Sequence, residues 1–222
     1  QELFSAMVSM LKYMDEKSSE KQYFFGTDFF EHIWEKMIDK AFGIEDKDRY
    51  FPRTRWLLDY GPNRSKTPLQ PDTIMIYNGK VYVLDAKLYR YGYSGNPDHL
   101  PNGPDINKQI TYGEYIERAK GVPSENLYNA FIMPFNREDN TFFEMGADGN
   151  PIPRVTDNIG NIGEAVGDWK PDPKNYERVQ GIVIDTRFLM YNYIGMPDQQ
   201  KRQLAEAIEK VETRAPVPRP AT

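Results

Sequence analysis

The sequence predicts an α/β fold, a central mixed β-sheet flanked by helices, on three observations. Two apolar runs flank Asn78-Gly79 in PDTIMIYNGKVYVLDAK, residues 71–87, the pattern of a tight β-hairpin. Segments with helical spacing and cap signals stand on either side of it, at residues 27–42 and 105–120. The apolar run LYNAFIMPF, residues 127–135, follows the second of these, so it reads as a buried strand that a helical crossover places beside the hairpin.

In order along the chain, residues 2–14 put Leu3, Met7, Met10, Leu11 and Met14 at helical spacing, a helix facing either the core or a partner subunit. Residues 15–22 are a polar connection. Thr27 suits the N-cap of a second helix that Gly43 stops, with Phe30, Ile33, Trp34, Met37, Ile38 and Phe42 as its buried stripe. Glu31 and Glu35 lie one above the other on a side of it.

RWLLDY, residues 55–60, reads as a short strand and residues 61–70 as a turn-rich loop leading into the hairpin. Residues 88–104 hold Gly, Pro and Tyr without periodicity, a loop. Within it Arg90, Tyr89, Tyr91 and Tyr93 either contact a nucleic-acid backbone or base, or pack among themselves. His99 is a lone loop histidine, available as general acid or metal ligand but more commonly neither.

In the helix of residues 105–120, between Pro104 and Gly121, Asp105 or a neighbour caps the start. Gln109, Tyr112 and Ile116 share one face, and Lys108 lies on the adjoining one with Tyr112 and Tyr115. Residues 136–174 are rich in Gly, Asp, Asn and Pro, with short elements at 141–145 and 162–169. VQGIVID, residues 179–185, is a further strand, aromatics follow it, and residues 197–213 form a last helix with Leu204, Ile208 and Val211 on its apolar side. The expected organisation is a single domain over residues 1–213 and a Pro-rich flexible tail over 214–222.

The chemistry concentrates at the hairpin. With Asn78 and Gly79 as a two-residue type I′ loop, Tyr77 opposes Lys80, Ile76 opposes Val81 and Ile74 opposes Val83, which brings Asp72 opposite Asp85. Opposed residues lie within about 5 Å and like charges there repel, so something positive belongs between them. Lys87 shares a face with Asp85 above an apolar floor of Ile74, Ile76, Val81 and Val83. Two carboxylates beside an ammonium suit a hard cation such as Mg2+, with Mn2+ as substitute, bound together with a phosphodiester.

Pro71-Asp72 followed across a hairpin by Asp85-Ala86-Lys87 resembles the PD-(D/E)xK signature of the restriction-endonuclease superfamily. The wider string, from about Phe25 to Phe135, resembles LlaJI-type restriction endonucleases, a group related to McrC nuclease subunits. The resemblance implies a restriction-endonuclease-like core with extra C-terminal elements and a metal-dependent endonuclease acting on double-stranded DNA. It also implies that Asp72, Asp85 and the Ala86 carbonyl hold the metal, with Glu35, next to Trp34, as the third acid.

DINKQITY, residues 105–112, resembles the Asp-x-x-Lys-Gln segment of the same group and, more loosely, a Gln-Tyr motif of RecB-like nucleases. By that resemblance Lys108, Gln109 and Tyr112 support the site or touch DNA, although Gln109 and Tyr112 are three apart rather than four and an ordinary amphipathic helix explains the same pattern; Arg90, from the loop before it, is a further candidate DNA contact. The implied partners are duplex DNA, a second copy of the chain, and a McrB-like NTPase if the domain is a McrC-like subunit acting on modified DNA. A non-catalytic interaction module whose Asp-x-Lys is an ordinary ion pair is the remaining alternative.

The 222 residues suit one sizeable domain, and 39% hydrophobic with 14% aromatic content supplies a core. The chain has no Cys and only two His, His32 and His99, which excludes a disulfide framework or thiolate zinc site and disfavours a histidine-rich one. No run suits a membrane span or a signal peptide, so a soluble protein of the prokaryotic cytoplasm is expected. Gln at position 1 and an opening helical pattern suggest the C-terminal part of a longer chain, with a specificity or assembly domain expected before it. The formal net charge of -5 opposes tight DNA binding through the overall field; an acidic nuclease domain is expected to have its site neutralised by metal and most DNA affinity supplied by another domain, with Arg53, Arg55, Arg64, Lys66, Lys87 and Arg90 as local help.

Overall fold

The computed structural model describes residues 29–62, the backbone of 64–65, residues 68–194 and 198–210; the expected helix at 2–14, the Thr27 cap, Val211 and the tail lie outside them. The described residues from Glu31 onward belong to one compact unit.

Five strands form one mixed sheet. They are β3 (Thr73–Tyr77), β4 (Lys80–Ala86), β5 (Leu127–Phe135), β8 (Ile159–Ala165) and β9 (Val179–Asp185), in the order β3-β4-β5-β9-β8. β3 and β4 are antiparallel in the expected register, from Tyr77↔Lys80 to Thr73↔Leu84. Asn78 and Gly79 both take the left-handed backbone, φ 48° and 74°, that a type I′ turn requires. β5 runs parallel to β4 and to β9, and β8 closes the far edge antiparallel to β9. With helices on both sides, this is the α/β, restriction-endonuclease-like architecture.

One sheet face is covered by α3 (Gly103–Lys120), whose Tyr112 and Ile116 pack on Ile74, Val81, Val83 and Leu127. The helix starts two residues earlier than its apolar spacing suggests, because Asn102 rather than Asp105 is the N-cap. The Asn102 side chain accepts from Asp105 N and Asp105 accepts from Asn102 N, a capping box. α5 (Asp198–Glu209) buries Leu204, Ala205 and Ile208 and packs against β3, β5, β8 and β9. Its Glu209 is held by Tyr82 and by Lys80.

α1 (Phe30–Phe42) buries Trp34, Met37, Ile38, Ala41 and Phe42, whereas Ile33 is exposed. The residue after its Gly43 stop, Ile44, donates to the Ile74 carbonyl, so the outer edge of β3 is met at that point by the chain leaving α1.

RWLLDY does not join the sheet. Only β1 (Arg55–Trp56) is extended there, pairing with β2 (Arg64–Ser65) as a separate antiparallel ribbon, and Trp56, Leu57, Leu58 and Tyr60 are exposed. The hairpin itself is therefore at one side of the sheet, with β3 as its edge strand.

Two further segments differ from a plain loop reading. Residues 88–104 contain a short helix, α2 (Tyr91–Ser94), set against β5. A side chain at Gly92 would strike the Pro134 carbonyl, and Tyr91 stacks obliquely on Phe142. In 136–174, β6 (Phe143–Met145) pairs with β7 (Pro151–Pro153), and β8 lies between them and residue 174. α4 (Thr186–Asn192) follows β9. Among the described residues no helix is long and apolar enough to cross a membrane.

Candidate active site

The site lies where β3 begins and β4 ends. The ladder stops at Thr73↔Leu84, so Asp72 is just outside it, and its Oδ2 accepts the Ala86 N–H at 2.9 Å. In a strand the N–H and C=O of a residue project to the same side, so the Ala86 carbonyl faces the Asp72 side as well. From behind, Lys47 Nζ donates to the Asp72 carbonyl at 2.5 Å and pairs with Asp39 at 2.7 Å.

Asp85 is 1% exposed. Lys87 Nζ stands 2.7 Å from its Oδ2 and Lys108 Nζ 3.4 Å from its Oδ1. The Lys87 contact has ion-pair distance without the directionality of a hydrogen bond, and Oδ2 has no hydrogen-bond donor. The positive charge expected between the acids is thus present, but both ammonium groups attend Asp85.

Asp72 bears the consequence, its pKa pushed up to about 7. Burial is the largest cause, followed by the charges of Asp85 and Glu35; the Ala86 N–H and Lys108 oppose them. Lys87 shifts the other way in chemical effect. Burial disfavours its charge, yet contact with Asp85 and Asp105 outweighs burial and holds its pKa above the ordinary lysine value. Lys87 is an ammonium.

Glu35 acts on Asp72 through its charge, while its Oε2 lies 3.6 Å from His32 Nδ1. Glu35 and Asp72 also line a groove of about 320 Å³ with Lys36, Lys47, Phe51 and Gln70. Glu31 is exposed. Among the described residues, Asp, Glu and His side chains do not close into a three-member metal cluster. The donor set to be tested is two carboxylates and a carbonyl. It suits Mg2+, which takes one or two carboxylates and completes its shell with water and phosphate oxygens. Both ammonium groups pair with Asp85, so the raised pKa falls on Asp72, the carboxylate whose charge a cation beside it would balance.

On α3, Lys108 lies over the Tyr112 ring at 5.7 Å. Gln109 and Tyr112 are fully buried, and the Gln109 amide and the Tyr112 hydroxyl make no hydrogen bond within the protein. Burial, then the charges of Asp85 and Asp72, push the Tyr112 pKa up, which places this hydroxyl in the field of both acids. Asn129 donates to the Gln109 carbonyl at 2.7 Å and fixes this turn of α3 to β5.

Asp105, read from the sequence as a helix cap and as the first residue of the Asp-x-x-Lys-Gln resemblance, has a place in the site that neither reading assigns to it. Its Oδ1 is 3.3 Å from Lys87 Nζ and its Oδ2 accepts the Tyr89 hydroxyl at 3.0 Å. The Asn-x-x-Asp spacing from Asn102 announces the capping box, and the Asp-x-x-Lys-Gln segment marks Asp105 without naming Lys87 as its partner.

Arg90 and Tyr93 are exposed, and Arg90 lines a separate groove with Tyr89, Asp98 and His99. The Tyr93 hydroxyl bonds Thr186, and His99 Nδ1 bonds Ser94 at 2.8 Å. The structure thus brings Asp72, Asp85, Ala86, Lys87, Lys108 and Tyr112 together, sets Glu35 within electrostatic reach, and leaves Arg90 and His99 in the neighbouring groove.

No curated protein matches the chain. The family model of the LlaJI restriction endonuclease matches residues 2–148, a span that takes in α1, the hairpin, α3 and β5, and with them every residue of the acidic cluster. Covering well over half of the sequence, that match shows that the chain belongs to the LlaJI restriction endonuclease family.

Proposed function

We propose that this protein is a metal-dependent endonuclease that hydrolyses phosphodiester bonds in double-stranded DNA, with its chemistry at the open end of the β3–β4 hairpin. The observation that carries this reading is the pairing of Asp72 with Asp85, both drawn to the end of β4, with Lys87 and Lys108 beside Asp85. Asp72, Asp85 and the Ala86 carbonyl would hold Mg2+ or Mn2+, and Glu35 would support the site through its charge. When bound, the metal supplies charge neutralisation at the phosphate and a more acidic attacking water.

The protein's own groups do the rest. An ammonium held between two carboxylates is a poor proton acceptor, so Lys87 orients water or phosphate and offsets negative charge. Lys108 is the more exposed of the two lysines and is placed to meet a phosphate oxygen. Gln109 and Tyr112 are fully buried behind the acids and would support the site from within, the Tyr112 hydroxyl through the field it shares with Asp85 and Asp72.

The test is cleavage of plasmid DNA with Mg2+ or Mn2+ and with chelator, comparing the chain with its Asp85→Ala and Lys87→Ala variants. Cutting that needs the metal and disappears in both variants supports the assignment. Cutting that survives Asp85→Ala overturns the site. If cutting appears only beside a nucleotide-hydrolysing partner, the McrC-like subunit reading replaces that of a self-sufficient enzyme.

A further inference from the structure

The described residues 53–62, with the backbone of 64–65, leave the sheet as an arm. Leu69 N donates to the Pro52 carbonyl at 2.9 Å and closes its base, and β1 and β2 pair within it. Its feet reach the site, since Phe51 and Gln70 line the same groove as Glu35 and Asp72. Residues 53–60 are exposed without interruption, Trp56 at 54% and Tyr60 at 92%.

Charge selects the partner. The stretch 53–66 carries Arg53, Arg55, Arg64 and Lys66 against Asp59 alone, in a chain whose formal net charge is -5. A basic arm on an acidic protein is suited to a polyanion, because cations that replace counterions on phosphates supply sequence-independent affinity. A two-stranded ribbon also has the width that the DNA major groove admits, where Arg reads guanine edges and apolar side chains meet the thymine methyl.

We infer that this arm is the element that grips duplex DNA beside the hairpin, with Arg53 and Arg55 on phosphates or base edges and Trp56 against the bases. The inference rests on the nuclease reading and adds to it the surface that compensates for an unfavourable overall charge.

The experiment measures binding of the full chain to a short duplex by fluorescence anisotropy as a function of salt, with Ca2+ in place of Mg2+. It compares the parent with Arg53→Ala/Arg55→Ala, Arg53→Lys/Arg55→Lys and Trp56→Ala. The double alanine variant is expected to bind at least about tenfold more weakly at low salt. Its slope of log affinity against log salt should be shallower by about 1 to 2, near 0.9 for each phosphate that is no longer neutralised. The lysine variant retains most of the slope, and Trp56→Ala loses affinity at an unchanged slope.

A parent that cuts plasmid DNA while the alanine variant keeps parental affinity and slope overturns the arm assignment alone. So does a Trp56→Ala variant that converts a dimer to a monomer by sedimentation while its DNA affinity is unchanged, which makes the arm a self-association surface. A parent that neither binds nor cuts DNA overturns both readings.

Discussion

Trp34 and Lys87 donate to one atom. The Trp34 indole Nε1 reaches the Ile132 carbonyl at 3.1 Å and the Lys87 backbone N–H reaches the same oxygen at 2.9 Å. A single point on β5 therefore ties down α1, which carries Glu35, and the residue just past the end of β4 that carries the site's half-buried ammonium. Trp34 is fully buried. Trp34→Phe should destabilise the protein by about 1–3 kcal/mol, from the missing hydrogen bond and a small cavity. Its melting temperature should fall by several degrees, at roughly 2–4 °C per kcal/mol for a chain of this size. A melt indistinguishable from the parent's would remove Trp34 as an anchor.

Asp105 faces Lys87 from the first turn of α3. Asp105→Asn keeps an oxygen for the Asn102 N–H and the Tyr89 hydroxyl but removes the charge opposite Lys87. By analogy with the partners that orient metal ligands, whose loss costs about 10- to 100-fold, kcat should drop by that order with KM and the melting temperature nearly unchanged. Asn102→Ala serves as contrast. It removes a cap worth about 1 kcal/mol but leaves the charge, so it should lower stability more than kcat. Equal effects of the two variants on both readouts would reduce Asp105 to a helix cap.

The Asp72 carboxyl, near 7 when folded against an ordinary 3.8, makes the metal-free protein sensitive to pH in a defined direction. A carboxyl whose pKa is higher folded than unfolded takes up a proton on folding. That contribution to stability is complete below about pH 4 and is lost as the pH rises through about 7. A bound cation must displace that proton, so Mg2+ affinity should rise about tenfold per pH unit and level off above about 7. Calorimetry in buffers of different ionisation enthalpy should show about one proton released per metal at pH 6. Affinity independent of pH across this window would contradict the assignment of Asp72 as a ligand.

Lys108 lowers the Asp72 pKa by its charge. Lys108→Ala should therefore move the Asp72 titration further up, and the pH at which Mg2+ affinity levels off should rise with it. The carboxyl carbon shift in NMR reads the first and calorimetry the second. A downward shift would mean that Lys108 does not act on Asp72 as described.

The approach of Asp72 to the end of β4 was legible because Asn78-Gly79 sets a two-residue turn and the period of a strand does the rest. Ile74, Val81 and Val83 follow from the same rule, and so does the face shared by Gln109, Tyr112 and Ile116 on α3. The ribbon at residues 55–60 shows where such reasoning stops. RWLLDY has strand composition, but strand composition does not supply a partner. The β3 edge is met at Ile74 by Ile44, and the segment pairs with residues 64–65 instead. β8 was hard to see for the opposite reason. It joins the sheet with Gly160, Asn161 and Gly163 in it and a register shift between Asn161 and Gly163, so pairing overrides poor local propensity.

The sequence by itself determined the hairpin, its register, the α/β class and the residues of the Asp-Asp-Lys cluster, because turn chemistry and side-chain alternation act between near neighbours. Tertiary structure alone decided that Asp105 faces Lys87, that Lys47 holds Asp72 from behind, that Trp34 and Lys87 share the Ile132 carbonyl, and that the arm stands outside the sheet. Each of these depends on the path of a connection and on competition for one edge or one acceptor, and local patterns carry no information about either.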